Sequence, residues 1–312
     1  MQKLILDTDG GVDDAQALLM LIANGRTPDL ITTVFGNVPL PVATQNILAT
    51  LAVAGANVPV HTGAARPLNQ PPIDARYIHG EDGLGGAPRP ERTAEPAGTD
   101  AVGALVRACH DAAANNQKID LLMIGPLTNL ALALRLDPSI TKGICQLTIM
   151  GATLYGRGNT TPAAEFNIYA DPEAAQIVLT AGLETVVVPW EPCTTHKISG
   201  LEVDDLFAGV AENAKGKPFS QGLANHARRT TAGYGWGDVF RFVDPLAAAV
   251  VIEPEIITKS IVASMDVSLA PGITRGMTVV DPSGRLGTPE VRIVEEARLD
   301  RVVELYRKSI SL

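Results

Sequence analysis

The stretch Lys3-Leu4-Ile5-Leu6-Asp7-Thr8-Asp9-Gly10-Gly11-Val12-Asp13-Asp14-Ala15-Gln16-Ala17-Leu18-Leu19-Met20 decides how the rest of the chain is read. Lys3–Leu6 is a strand-like aliphatic run, and Asp13–Asn24 carries apolar residues at helical spacing. A strand feeding a helix through a glycine turn is half of a parallel βαβ unit, and such a turn lies at the carboxyl edge of the sheet, where ligands bind. Four carboxylates fall within eight residues of that turn. Gly10 and Gly11 let the backbone bend sharply, and Asp13 and Asp14 stand where helix-start amides accept negative charge. Capping accounts for one Asp, two at most. Like charges about 5 Å apart repel by roughly 1 kcal/mol in water and about 3 kcal/mol at an effective dielectric of 20, and no basic neighbour offsets them. A cation is the simplest remedy. All the donors are oxygens, which selects a hard ion: Ca²⁺ where ligands are many, Mg²⁺ where the ion keeps its water.

Outward from this turn the alternation continues. Strands are expected at Leu30–Phe35, Val58–Thr62, Ile119–Ile124, Cys145–Met150 and Thr185–Val188, with helices at Pro41–Ala54, Thr99–Asn115, Leu127–Leu136 and Pro172–Ala181. After Trp190 the pattern loosens. Helices are expected around Asp204–Lys215, Phe219–Thr230 and Leu299–Lys308, and strands at Ile256–Ser264, Thr278–Val280 and Glu290–Ile293. The fold class that follows is α/β, a single domain over residues 1–312. Its central sheet is expected to be mainly parallel and Rossmann-like, flanked by helices and carrying an antiparallel edge. Two segments resist assignment, the Pro- and Gly-rich Arg66–Gly98 and the segment Gly233–Phe242, which holds Tyr234 and Trp236. Loops of that length usually serve function, so substrate closure and the base pocket are expected there.

With 46% hydrophobic and 19% charged residues, the chain can bury a full core. A net charge of -9, without a Lys/Arg-rich block, argues against a nucleic-acid partner and for a small molecule. Cys109, Cys145 and Cys193 are too few and too scattered for a disulfide framework or a thiolate zinc site. No apolar run spans a bilayer, and the chain enters its first strand at once, leaving no room for a leader; the expected place is the cytoplasm.

The string Asp7-Thr8-Asp9-Gly10-Gly11-Val12-Asp13-Asp14-Ala15 resembles the amino-terminal signature of the nucleoside hydrolase family, which usually has Pro where Gly10 stands. Further blocks agree in order: Ile124-Gly125-Pro126-Leu127-Thr128-Asn129-Leu130-Ala131, then Gly158–Asn167, then Asp244-Pro245-Leu246-Ala247, so that the resemblance runs from residue 3 to about 252. It implies that Asp9, Asp14, the backbone carbonyl of Ile124 and Asp244 bind one Ca²⁺. Asn159, Glu165 and Asn167 would hold ribose hydroxyls, with Asp13 at the 2′-hydroxyl; Asn37 would support the nucleophile, and His79 would stand near the base. Without the resemblance, Asp244 before Pro245 reads as a helix cap.

The implied reaction cleaves a ribonucleoside to ribose and free base, through an oxocarbenium-like transition state. Asp9 would deprotonate a water held on the ion, and the ion would grip the ribose diol. Nucleoside catabolism or purine salvage would be the setting, and a homo-oligomer, dimer or tetramer, the assembly. One departure stands out. Broadly specific members carry a proton-donating His directly before the late Asp, where this chain has Val243; Tyr234 or Trp236 stacking on the base would be a substitute. Two other readings use the same residues: a calcium-dependent nucleoside- or ribose-binding protein without turnover, and an aspartate-based Mg²⁺ phosphohydrolase, which lacks an evident phosphoryl-holding cation. The cluster Gly80-x-x-Gly83-x-Gly85-Gly86 does not open a helix after a strand, so it is no dinucleotide fingerprint.

Overall fold

In the computed structural model, which describes residues 2–312, the first strand and helix are β1 (Lys3–Thr8) and α1 (Val12–Ala23). There follow β2 (Leu30–Thr33), α2 (Leu40–Ala54), β3 (Val60–Thr62), the short α3 (Arg76–His79), α4 (Ala101–Ala114), β4 (Ile119–Met123), α5 (Thr128–Leu136) and β5 (Ile144–Met150). The middle of the chain contributes α6 (Phe166–Ala170), α7 (Pro172–Leu179), β6 (Thr185–Val188), α8 (Trp190–Thr195) and β7 (Lys197–Ser199). Then come α9 (Gly200–Ala208), α10 (Lys217–Gly233), β8 (Val239–Arg241), α11 (Asp244–Ile252), β9 (Ile257–Val267), β10 (Thr278–Asp281), β11 (Glu290–Ala297) and α12 (Leu299–Ser309).

Nine strands form one sheet in the order β10-β9-β11-β6-β5-β4-β1-β2-β3. Pairing is parallel from β11 through β3, and only β9 is antiparallel to its neighbours β11 and β10. This is the mainly parallel α/β sheet with an antiparallel edge. Alternation along β1 explains why it lies at the centre: Leu4 and Leu6 join the core that contains α1, α11 and α12, while Ile5 joins the core on the opposite face, with α4, α5 and α7. A strand apolar on both faces must be covered on both. From β1 the chain builds outward to β2 and β3, and β4 then starts the other side, so the sheet reverses direction between β1 and β4. A crevice at the carboxyl ends of such a pair is where α/β sheets bind ligands.

The strands and helices expected before Trp190 are all present, their ends shifted by at most two residues. Later expectations need correction. The helix placed at Asp204–Lys215 is instead α9, which starts at Gly200 because Ser199 caps it: Ser199 Oγ accepts from Glu202 N at 3.3 Å, and Glu202 Oε2 accepts from Ser199 N at 2.8 Å. The segment Gly233–Phe242 is not wholly irregular, since β8 pairs antiparallel with β7. Asp244 does not cap α11; it lies inside the first turn, after Val243, and its side chain makes no capping hydrogen bond. No described helix is long and apolar enough to cross a membrane.

Candidate active site

The turn after β1 is shaped by Gly10, whose φ of +68° places it in the left-handed region, with Ala43 of α2 so close that a Cβ would lie 2.5 Å from its Cα. This bend brings the start of α1 back under the strand end. Asp14 is fully buried there, and its carboxylate accepts from Thr8 Oγ1 at 2.5 Å, Gly11 N at 2.7 Å, Asn37 Nδ2 at 2.9 Å and Asp9 N at 3.2 Å. Asp9, equally buried, accepts from Asn37 N at 2.7 Å and from Asn37 Nδ2 at 2.9 Å. One asparagine after β2 therefore ties the two carboxylates together.

Asp13, Asp14 and Asp244 each offer an oxygen within 4.8 Å of the others'. They meet because α1 and α11 pack in one core with their amino ends at the sheet's carboxyl edge. Among the described residues no Lys or Arg pairs with them. The nearest basic group is His79, whose Nδ1 lies 3.6 Å from Asp13 Oδ1, but that nitrogen accepts from Val12 N at 3.1 Å and so carries no proton to give. Burial pushes the His79 imidazole down to about 4, which leaves it neutral at physiological pH. Burial, then the charge of Asp14, holds Asp9 well above the usual carboxylate range; burial, then the charge of Asp13, does the same to Asp244. Asp13 is pushed up to about 6 by burial, and its Oδ1 is buried with no hydrogen-bond partner. Buried like charges without a counter-charge, all presenting oxygen, fit a hard divalent cation.

Above this floor opens a cleft walled by Asp13, Asn37, His79, Ile124, Asn159, Glu165, Asn167, Tyr234, Trp236 and Asp244, all expected from the sequence. Asp9 and Asp14 do not reach its surface; they lie beneath it, behind Asn37. Glu165 caps α6, accepting from Asn167 N at 2.9 Å, Ala152 N at 3.0 Å and Ile168 N at 3.2 Å, and burial raises its carboxyl to about 7. Ala152 meets it with a φ of +75°, a strained backbone for a residue with a side chain. Asn167 Nδ2 donates to the carbonyls of Ile124 and Met150, both at 3.1 Å. Asn159 is exposed at the rim. Tyr234 and Trp236, each about half exposed, stack on one another with ring centres 5.5 Å apart.

Sequence reasoning missed several wall residues: Phe166, Trp190, His226, Thr230 and Arg241. His226 Nε2 lies 2.8 Å from the carbonyl of Ile78. The spacing of His226 and Thr230 on α10 was a signal, since both fall on one helix face.

An α/β sheet whose carboxyl edge carries an oxygen-only acidic floor and a cleft with amide and carboxylate groups above it defines a metal-compatible enzyme site for a small polar ligand. The family model described as inosine-uridine preferring nucleoside hydrolase matches residues 4–304. The non-specific ribonucleoside hydrolase RihC of Salmonella enteritidis is 39% identical over 287 residues, covering 92% of this chain and 90% of that protein. Among solved structures, the plant nucleoside hydrolase PpNRh1 matches with a TM-score of 0.89 at 29% identity, covering 99% of both chains. A purine-preferring ribonucleoside hydrolase from Gardnerella vaginalis matches with a TM-score of 0.88 at 25% identity, over 99% of this chain and 98% of that one. This chain belongs to the inosine-uridine preferring nucleoside hydrolase family, metal-dependent hydrolases acting on N-glycosyl compounds.

Proposed function

We propose that this protein hydrolyses the N-glycosidic bond of ribonucleosides to ribose and free base, with Ca²⁺ held by Asp9, Asp14, Asp244 and the carbonyl of Ile124. The observation that carries the reading is the meeting of Asp13, Asp14 and Asp244 at the floor of the cleft, Asp14 beneath its surface, with Asp9 outside that trio but tied to Asp14 through Asn37, and with Asn167 donating to the Ile124 carbonyl on the cleft wall. Bound there, the ion would neutralise the carboxylates, orient the ribose diol and make a water more acidic. Asp9 serves as general base, held by both donors of Asn37, and it is the group to which the water's proton passes. Asp13 Oδ1, buried without a donor, takes its hydrogen bond from the 2′-hydroxyl. Asn167 has committed both amide protons to carbonyls, so its Oδ1 is the atom that accepts from the sugar. Asn159 and the fixed carboxyl of Glu165 flank the remaining hydroxyl, while His79, Tyr234 and Trp236 face the base.

The reading carries with it one catalytic domain over the whole chain, a dimer or tetramer as the working assembly, and a cytoplasmic role in nucleoside catabolism or purine salvage. The experiment is direct: incubate the protein with inosine and assay free ribose, with EGTA and after adding Ca²⁺ back. Ribose release that stops with chelator and returns with Ca²⁺ is expected. Binding without ribose release would make it a nucleoside-binding protein instead, and full activity in chelator would remove the ion.

A further inference from the structure

Among the described residues, Arg241 is the one Lys or Arg on the wall of the cleft, and no carboxylate pairs with it. Its guanidinium carbon lies 4.4 Å from the centre of the Trp236 ring, and its Nε is buried with no hydrogen-bond partner. Asp238, three residues before Arg241 in the chain, and Asp204 are both held by Arg228. Its backbone is fixed by pairing opposite Lys197, and Val243, two residues on, lines the same cleft. A half-buried cation kept without a counter-charge is costly unless a ligand supplies the acceptor. If the proposed function holds, as this inference requires, Asp13, Glu165, Asn167 and Asp244 take the sugar, and Arg241 and Trp236 remain for the base.

We propose that Arg241 selects nucleosides whose base carries an oxo group at the ring position where its counterpart carries an exocyclic amine, inosine against adenosine and uridine against cytidine, and stabilises that base as it departs. A carbonyl oxygen accepts from the guanidinium fork, whereas an exocyclic amino group sets donor against donor. In the reaction the water oxygen bonds to C1′ and its proton passes to Asp9. The C1′–N bond breaks with its electron pair going to the base, and the base takes a proton from solvent after release. In oxo bases that pair spreads onto the carbonyl oxygen, so the contact with Arg241 strengthens toward the transition state. This supplies what Val243, an aliphatic residue, cannot.

The test compares kcat/KM for inosine against adenosine and for uridine against cytidine, pairs that differ by a carbonyl or an amino group at one ring position. Measurements are made in wild type, Arg241→Met and Arg241→Lys. Wild type should favour the oxo member of each pair, and Arg241→Met should lower the oxo-to-amino ratio by ~10- to 100-fold, the range of a charge-assisted hydrogen bond. Arg241→Lys should give a smaller fall, since it keeps the charge but not the fork. Should the Met variant fail to fold, the Lys variant is read alone, and a ratio equal to wild type overturns the proposal. Equal losses on both members of a pair also overturn it. Wild-type protein that releases no ribose from any of the four would sink the hydrolase reading, a result distinct from turnover with an unchanged ratio.

Discussion

Asn167 shows how a single side chain is committed before substrate arrives. Its amide protons go to the Ile124 and Met150 carbonyls at 3.1 Å each, which aims the remaining oxygen and holds the Ile124 carbonyl in place. Asn167→Ala should therefore cost about 2 to 4 kcal/mol in kcat/KM for ribonucleosides, and less for their 2′-deoxy counterparts, whose sugar asks less of the site. Steady-state kinetics on inosine and 2′-deoxyinosine check it, and equal loss on both would contradict the role. His79 carries the opposite lesson. The sequence marks it as a residue near the base, but its Nδ1 accepts from the Val12 amide, so it stands as a neutral ring and not as a proton-charged acid.

At the scale of elements, the β1–α1 turn departs from the family's usual Pro in a way the backbone explains. Gly10 has a φ of +68°, Pro is locked near −65°, and the Gly10 amide donates to Thr8 Oγ1 at 3.3 Å. Gly10→Pro should destabilise the fold by about 3 kcal/mol or more, and Gly10→Ala by about 2 kcal/mol, since its Cβ would meet the α2 backbone at Ala43. Urea unfolding measures both. A Pro variant as stable as wild type would mean that the turn can take another path. The start of α9 illustrates the converse: Ser199-x-x-Glu202 is a local capping box that the sequence states plainly, and an apolar pattern read too far downstream obscured it.

For the whole molecule, the buried carboxylates lead to the expectation that stability depends on a cation, because an ion that binds the folded chain and not the unfolded one adds about 2.7 kcal/mol at a hundredfold excess over its Kd. Ca²⁺ should raise the melting temperature by about 5 °C or more over an EGTA-treated sample, Mg²⁺ by less. A melting temperature indifferent to both ions would mean that Asp13, Asp14 and Asp244 hold none. The blocks around Ile124, Glu165 and Asp244 are legible only by their resemblance to the family, whereas the sequence by itself determined the parallel α/β sheet and the strand–turn–helix with its run of aspartates. Each of these rests on residues close together in the chain, where period and spacing act directly on backbone geometry. Only the tertiary structure decided that Asp244 meets Asp13 and Asp14, that Asn37 ties Asp9 to Asp14 and that Arg241 lies unpaired against Trp236. Those meetings depend on how α1 packs against α11 and β8 against β7, through contacts between distant segments that no local pattern encodes.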